Sequence, residues 1–175
     1  MVTRQIALRP QDIVALLKIV SFYRKGKVSW KKGDLAEALF LANSEITNVF
    51  GRLRHTDLID TDNGTIQYQS FYEFLLYGLR HSFPAIVGHE TKGVITGINA
   101  LPDSGIQAPN YVWPDYQGKY RGYSVIPLYP EAPAAARNDD YLHLLLAACD
   151  VLRIGKVREV NFARTWLREQ LLVKN

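Results

Sequence analysis

The sequence predicts a mainly α-helical fold with a small β-hairpin, followed by an irregular segment and C-terminal helices. Three observations support this prediction. Apolar residues recur every three to four positions in the first and last thirds of the chain. An Asn-Gly pair at residues 63–64 stands between two short β-prone runs, which is typical of a hairpin. Seven of the eight prolines fall between residues 84 and 133, so long helices are not expected there.

Three helices are predicted in the first third of the chain. The first begins at Pro10, where the missing N–H costs nothing, and continues to about residue 23. After a short extended piece at residues 28–30, a second helix covers about residues 33–42. Asn43 and Ser44 offer an N-cap for a third helix. The apolar positions of this third helix cluster on one face: Ile46, Val49, Phe50 and Leu53.

A hairpin is predicted directly after the third helix. The runs at residues 58–61 and 65–68 flank Asn63-Gly64, and we expect a type I′ turn in which both of these residues have φ above zero. The resulting order is helix, short strand, helix, turn, helix and hairpin. This order is the plan of a winged helix-turn-helix, with the hairpin as the wing.

The stretch DLAEALFLANSEITNVFGRLRHTDLID and the DNG-tipped hairpin after it resemble the DNA-binding unit of MarR-type winged-helix transcriptional regulators. The resemblance covers about residues 10–70. Asp57 stands where that family has glycine, and the hairpin tip has no Arg or Lys. The resemblance implies a sequence-specific DNA-binding regulator, acting as a repressor and as a homodimer. The matching positions in the two helices and at their exit are Leu35, Ala36, Leu39, Ser44, Ile46, Val49, Leu53, Leu58 and Ile59.

Candidate DNA contacts follow from this interpretation. If the unit binds double-stranded DNA, the third helix enters the major groove and its outward side chains meet base edges. Asn48 can form two hydrogen bonds to an adenine, and Arg52 can reach a guanine or a phosphate. A solvated surface is the alternative for each lysine, and winged helices also serve in protein contacts. The remaining candidates, for phosphate or base, are Lys31, Lys32, Ser44, Thr47, His55 and Asn63.

The net charge of +4 lies entirely in the first third of the chain. Residues 1–60 contain ten Lys and Arg and six Asp and Glu, whereas the remaining residues contain eleven of each kind. This asymmetry indicates a polyanionic partner for the first third. A solvated basic face without a partner would give the same count.

The middle of the chain changes in character. Ser70-x-x-Glu73 predicts a capping box that opens an apolar helix through about residue 81, buried against its own domain or a second subunit. Residues 83–136 are predicted to be helix-poor and rich in proline and aromatic residues. Three roles are open for this segment. It is a wrap packed over the helices, a surface for a partner protein, or a stacking site for a small ligand or a single strand of nucleic acid. Short extended pieces are expected at 94–98, 111–113 and 123–128.

The last third of the sequence predicts a pair of helices that pack on the rest of the chain or form a dimer contact. Asp139 and its two neighbours cap a helix that Gly155 breaks, and a last helix covers about residues 156–172. The predicted organisation is therefore a winged helix-turn-helix domain at residues 1–82, the wrap at residues 83–136, and the helical pair at residues 137–175.

Composition narrows the classes of protein. The chain has 175 residues, of which 47% are hydrophobic and 22% charged, and no window approaches the ~18 apolar residues of a membrane span. The charged N-terminus is unlike a secretory signal. A single cysteine, Cys149, excludes a disulfide framework. We therefore expect a cytoplasmic protein with no membrane partner.

Catalytic signatures are missing from the sequence. His89-Glu90 lacks the second histidine of a helical zinc site, and residues 88–93 lack the Gly-Lys-Ser/Thr order of a phosphate loop. We expect no enzyme, no metal and no cofactor. The first functional hypothesis is the DNA-binding regulator. The alternative is an antitoxin-like or accessory module that binds a partner protein through residues 83–136.

Overall fold

The computed structural model describes residues 4–173; residues 1–3 and 174–175, at the outer ends of the predicted first and last segments, lie outside the described residues. Helices make up 52% of the described chain, so the fold is mixed rather than mainly α-helical. In chain order the elements are α1 (Pro10–Arg24), α2 (Lys32–Leu39), α3 (Asn43–Leu53), β1 (Ile59–Asp60), β2 (Thr65–Ile66), α4 (Tyr68–Tyr77), α5 (Leu79–Ser82), β3 (Val87–Thr96), a 3₁₀ turn (Ile98–Ala100), β4 (Tyr111–Pro114), β5 (Tyr120–Val125), α6 (Ala132–Asn138), α7 (Asp140–Ile154) and α8 (Val157–Leu171).

The first three helices lie close to their predicted positions. α1 begins at Pro10, and its N-cap residue Arg9 donates its backbone amide to the Asp12 carboxylate over 2.8 Å. The predicted N-cap of α3 is wrong, because Ala42 occupies the cap and Asn43 is already helical. The predicted extended piece at residues 28–30 forms no strand. The predicted apolar face of α3 is buried as expected: Ile46, Val49, Phe50 and Leu53.

The hairpin is present, but its turn differs from the predicted type I′ turn. β1 and β2 pair antiparallel around a four-residue loop, and within that loop only Gly64 has a positive φ, 72°. Asn63 instead donates its side-chain amide to Asp60 over 2.8 Å and accepts the Thr65 amide over 2.8 Å. A Cβ at Gly64 would lie 2.9 Å from the Trp30 ring. Glycine therefore serves both the turn and the packing of the hairpin.

The helix after the hairpin begins earlier than predicted. α4 starts at Tyr68, so the predicted capping box at Ser70 and Glu73 is wrong; the Glu73 carboxylate accepts from Gln69 over 2.7 Å instead. α4 ends before Gly78, and the short helix α5 continues the chain. Three apolar side chains of these helices are buried within this chain, namely Phe71, Leu75 and Leu79, whereas Phe74 and Leu76 are only partly buried.

A closed three-stranded sheet forms the predicted helix-poor segment. β3 pairs antiparallel with both β4 and β5, and β4 pairs parallel with β5, so each strand borders the other two. The strands approach so closely that a side chain is excluded at two glycines. A Cβ at Gly93 would lie 2.0 Å from the Trp113 carbonyl, and one at Gly122 would lie 2.4 Å from the Asn110 carbonyl. The predicted helix-poor range also ends too late, because α6 begins at Ala132.

The sheet is fastened to α7 by a buried carboxylate. Asp150 Oδ2 accepts from the Trp113 indole over 2.7 Å and from the Thr96 hydroxyl over 2.7 Å. Asp150 Oδ1 accepts from Arg153 over 2.8 Å, and Arg153 also donates to the Phe83 carbonyl over 2.8 Å. Trp113 is only 1% exposed. Polar bonds and aromatic burial therefore hold residues 83–136 against the helices.

α1 is buried along most of its length in one continuous core, and a second buried carboxylate ties it to α7. Asp139 caps α7 by accepting the Leu142 amide over 3.1 Å. It also accepts from the ammonium group of Lys18, from the Ser21 hydroxyl over 2.6 Å and from Lys25 over 2.7 Å. Lys18 and Ser21 are buried inside an otherwise apolar stretch of α1. Within residues 4–173, no helix combines the length and apolar character that crossing a bilayer requires.

The charge of Asp139 depends on these donors. Burial by itself would raise the pKa of the carboxyl group, but the hydrogen bonds from Lys18, Lys25, Ser21 and the Leu142 amide outweigh it and hold the pKa well below its usual range. The ionised form is therefore favoured by folding, and its contribution to stability is present above about pH 4 and lost as the pH falls through the folded-state pKa.

Replacement of Asp139 by Asn tests this link between α1 and α7. Asparagine can still cap a helix, but the buried Lys18 ammonium loses its counter-charge, so we expect a loss of about 3–5 kcal/mol in unfolding free energy at pH 7. The loss should shrink as the pH is lowered below about 4, because the wild-type carboxyl group then takes up a proton in the unfolded chain while it stays ionised in the folded one, and the wild type loses its advantage. Urea unfolding at several pH values measures both effects. The matched variant of its exposed neighbour, Asp140→Asn, should lose less than about 1 kcal/mol.

Candidate nucleic-acid interface

The outer face of α3 is a continuous polar strip. Ser44, Asn48 and Gly51 follow one another at spacings of four and three residues, His55 lies two residues beyond the end of the helix, and all four are exposed. Thr47 lies beside them and is also exposed. Because the opposite face of the helix is buried in the core, this strip is held toward solvent. We call these five residues the α3 strip.

The α3 strip consists of small polar side chains and is not covered by other elements. A Cβ built on Gly51 meets nothing within 4 Å, so no neighbouring element covers the middle of the helix. The Thr47 hydroxyl donates to the Asn43 carbonyl one turn earlier over 3.1 Å. A helix of this kind, with small polar side chains and an uncovered centre, has the shape that fits a DNA major groove.

Arg52 does not belong to this open surface. Its Nε donates to both carboxylate oxygens of Asp12, over 3.0 and 2.9 Å, and its Nη2 donates to Asp12 over 2.8 Å and to Glu45 over 3.1 Å. Asp12 is 0% exposed. The hydrogen bond to Asp12 raises the pKa of the guanidinium further above its usual value. The prediction that Arg52 reaches a base or phosphate is therefore wrong, because its donors fasten α3 to the start of α1.

The two lysines at the start of α2 lie near α3. Lys31 and Lys32 are both exposed, and the ammonium group of Lys32 lies 4.9 Å from the centre of the Phe50 ring on α3. The backbone amide of Lys31 donates to Asp34 over 2.7 Å, which fixes the first turn of α2. Their position beside α3 suits phosphate contacts that flank a helix in a groove.

Asn63 lies at the hairpin, apart from the α3 strip. Its side chain is engaged with Asp60 and Thr65, so it shapes the loop. Asn63 is nevertheless exposed at the tip.

Sequence reasoning missed Arg54. This residue follows α3 directly, is exposed, and lies three positions after Gly51. The helical wheel could have identified it, because residues 47, 51 and 54 share one side of a helix. Arg54 adds a cation to the end of the α3 strip where the sequence prediction had placed only His55.

Comparison of the chain with protein-family models, with curated proteins and with solved structures found no match. The resemblance of residues 10–70 to MarR-type regulators therefore stays a prediction.

The structure changes what is expected of an Arg52 substitution. The helical wheel suggests that Arg52→Ala hardly affects folding, but the structure predicts a loss of about 3 kcal/mol in unfolding free energy, because the buried Asp12 carboxylate would lose its counter-charge. Asn48→Ala, in the α3 strip, should change the same quantity by less than about 0.5 kcal/mol. Urea unfolding of both variants makes the comparison. Equal stabilities for the two variants would contradict the structural role of Arg52.

Proposed function

We propose that residues 10–66 form a winged helix-turn-helix that binds double-stranded DNA, and that the protein is a transcriptional repressor. The observation that carries this proposal is the α3 strip: an amphipathic helix is anchored by a buried apolar face and presents an uncovered polar face. In this proposal α3 enters the major groove and the side chains of the strip meet base edges.

The anchoring of the hairpin supports its role as a wing. The Tyr23 hydroxyl on α1 donates to the Gly64 carbonyl over 3.1 Å. The Trp30 ring packs on Gly64. Its ring centre lies 6.4 Å from that of Phe22 and 6.1 Å from that of Phe50. These contacts connect the hairpin to both α1 and α3. A wing attached in this way reaches DNA in a defined position relative to the reading helix.

Charge supports DNA as the partner. Several basic residues of the unit are engaged in ion pairs, including Lys18, Lys25 and Arg52. Lys31, Lys32 and Arg54 of the unit are exposed to solvent, as are Arg4 and Arg9 just before it. Phosphate contacts from such residues supply affinity without sequence preference and make binding salt-dependent.

Base recognition falls to the α3 strip. Asn48, at its centre, has the amide group that forms paired hydrogen bonds with the N6 and N7 atoms of adenine. Ser44 and Thr47 supply hydroxyls toward the start of α3, where base edges and phosphates lie close together. By occupying an operator, the bound protein would block transcription.

A homodimer is part of the proposal, because one helix reads too few base pairs for specificity and paired units read half-sites about one helical turn apart. The surface that suits self-association lies where α4, α5 and α8 meet. Tyr77 and Val157 are 68% and 79% exposed there, and Arg80 and Arg164 border them. Exposed apolar side chains beside arginines are typical of protein contacts.

A second candidate function is the binding of a partner protein through residues 83–136, as in an antitoxin-like module. The observation that favours it is a set of exposed aliphatic side chains at one end of the sheet: Ile86, Val87 and Ile126. Val87 pairs with Val125, so Ile86 and Ile126, which adjoin this pair, lie close together. An apolar contact of this kind would be insensitive to salt, whereas DNA binding weakens steeply with it.

Asn48→Ala tests the DNA-binding proposal. At matched salt we expect this substitution to weaken binding to a duplex from the protein's own upstream region by about 1–3 kcal/mol, with unchanged stability. Fluorescence anisotropy with the labelled duplex gives the affinity, and the titration endpoint should correspond to two chains per operator.

The matched control is Gln107→Ala, which removes an exposed amide from the loop before β4. It should leave the affinity unchanged. If Asn48→Ala binds the duplex as well as wild type does, the assignment of α3 as the reading helix fails.

A further inference from the structure

The outer face of the paired strands β3 and β5 carries two cations directly opposite each other. The antiparallel register pairs Lys92 with Arg121 and Glu90 with Tyr123. Cross-strand partners point to the same side of a sheet, so these four side chains share one face. We call this surface the ribbon face.

The pairing of Lys92 with Arg121 is unfavourable in itself. Like charges directly opposite each other on neighbouring strands destabilise a sheet, and both side chains are exposed. Among residues 4–173, neither cation lies within salt-bridge distance of a carboxylate; Glu90 is the acidic residue on the same face. Lys119, two residues before Arg121 and also exposed, continues the same alternation. The ribbon face therefore gathers the three Lys and Arg residues of residues 83–136, although the net charge of that segment is close to zero.

An aromatic pair lies next to these cations. Tyr123, two positions after Arg121, is 42% exposed. The parallel register of β4 and β5 places Tyr111 beside it, with the ring centres 6.3 Å apart. Tyr123 can therefore accept a flat ring on its exposed side while Tyr111 supports it from the other strand.

We infer that the ribbon face binds single-stranded nucleic acid. Phosphates would meet Lys92, Lys119 and Arg121, and an unpaired base would stack on Tyr123. The ribbon face is an open sheet surface, which suits a chain lying across it. Stacking requires an exposed base, and a duplex keeps its bases inside the stack, so the aromatic pair selects for a single strand. This inference is independent of the proposed α3 interface, since it uses other elements of the fold.

Anisotropy titration of the full chain with a labelled oligothymidine of about 12 nucleotides, in about 50 mM salt, tests the inference. We expect saturable binding that weakens with added salt. Arg121→Glu should reduce the affinity at least tenfold, and Tyr123→Ala should reduce it about five- to twentyfold. Tyr123→Phe should keep most of the wild-type affinity, because it keeps the aromatic ring. Each variant should keep the thermal midpoint of the wild type.

Arg168→Glu is the matched control, because Arg168 is an exposed arginine near the end of α8. It should leave the affinity for oligothymidine nearly unchanged. Absence of saturable binding by the wild type, an equal loss in Arg168→Glu, or full binding by Tyr123→Ala would each overturn the inference. Asn48→Ala separates the two interfaces, because it should impair duplex binding and leave oligothymidine binding intact.

Discussion

The Asp139 carboxylate joins the two halves of this protein. It begins α7, and it accepts hydrogen bonds from Lys18, Ser21 and Lys25 of α1. Because α1 is buried through most of its length, a carboxylate at this point must be fully paired to be tolerated. The pairing sets the position of α1 against α7, and every other element packs on one of these two helices or on a neighbour of theirs.

Contacts along α1 carry this placement to the candidate DNA interface. Near its start, Asp12 holds Arg52 and thereby α3. Near its end, Tyr23 holds the hairpin through Gly64. In the other half of the molecule, Asp150 holds the sheet against α7 by accepting hydrogen bonds from Trp113 and Thr96. The proposed reading helix, the proposed wing and the ribbon face are thus positioned by a few buried polar bonds, each completed by a partner far away in the chain.

Local sequence patterns predicted most of the helices, but they failed for features that depend on contacts between residues far apart in the chain. Apolar spacing identified α3 and α8, because one face of each packs in the core, and it also identified α1 and α7, which are buried on nearly all sides. It could not identify the closed sheet, since closure depends on pairing across segments and on the close approach at Gly93 and Gly122. The helical wheel placed Arg52 on the flank of the polar face and could not show its partner, because Asp12 lies forty positions away in the chain. Asn63 does not have the positive φ expected of a type I′ turn. Its side chain instead donates a hydrogen bond to Asp60. The α3 strip was predictable, because it depends on spacing alone.

An amide chemical-shift titration of the labelled protein with an upstream duplex tests most directly whether α3 reads DNA. We predict that the largest shift changes occur in the α3 strip, with smaller ones at Lys31, Lys32 and the hairpin loop, and that added salt reverses them. Changes confined to the sheet and α8, or no changes at all at duplex concentrations that saturate binding, would contradict it.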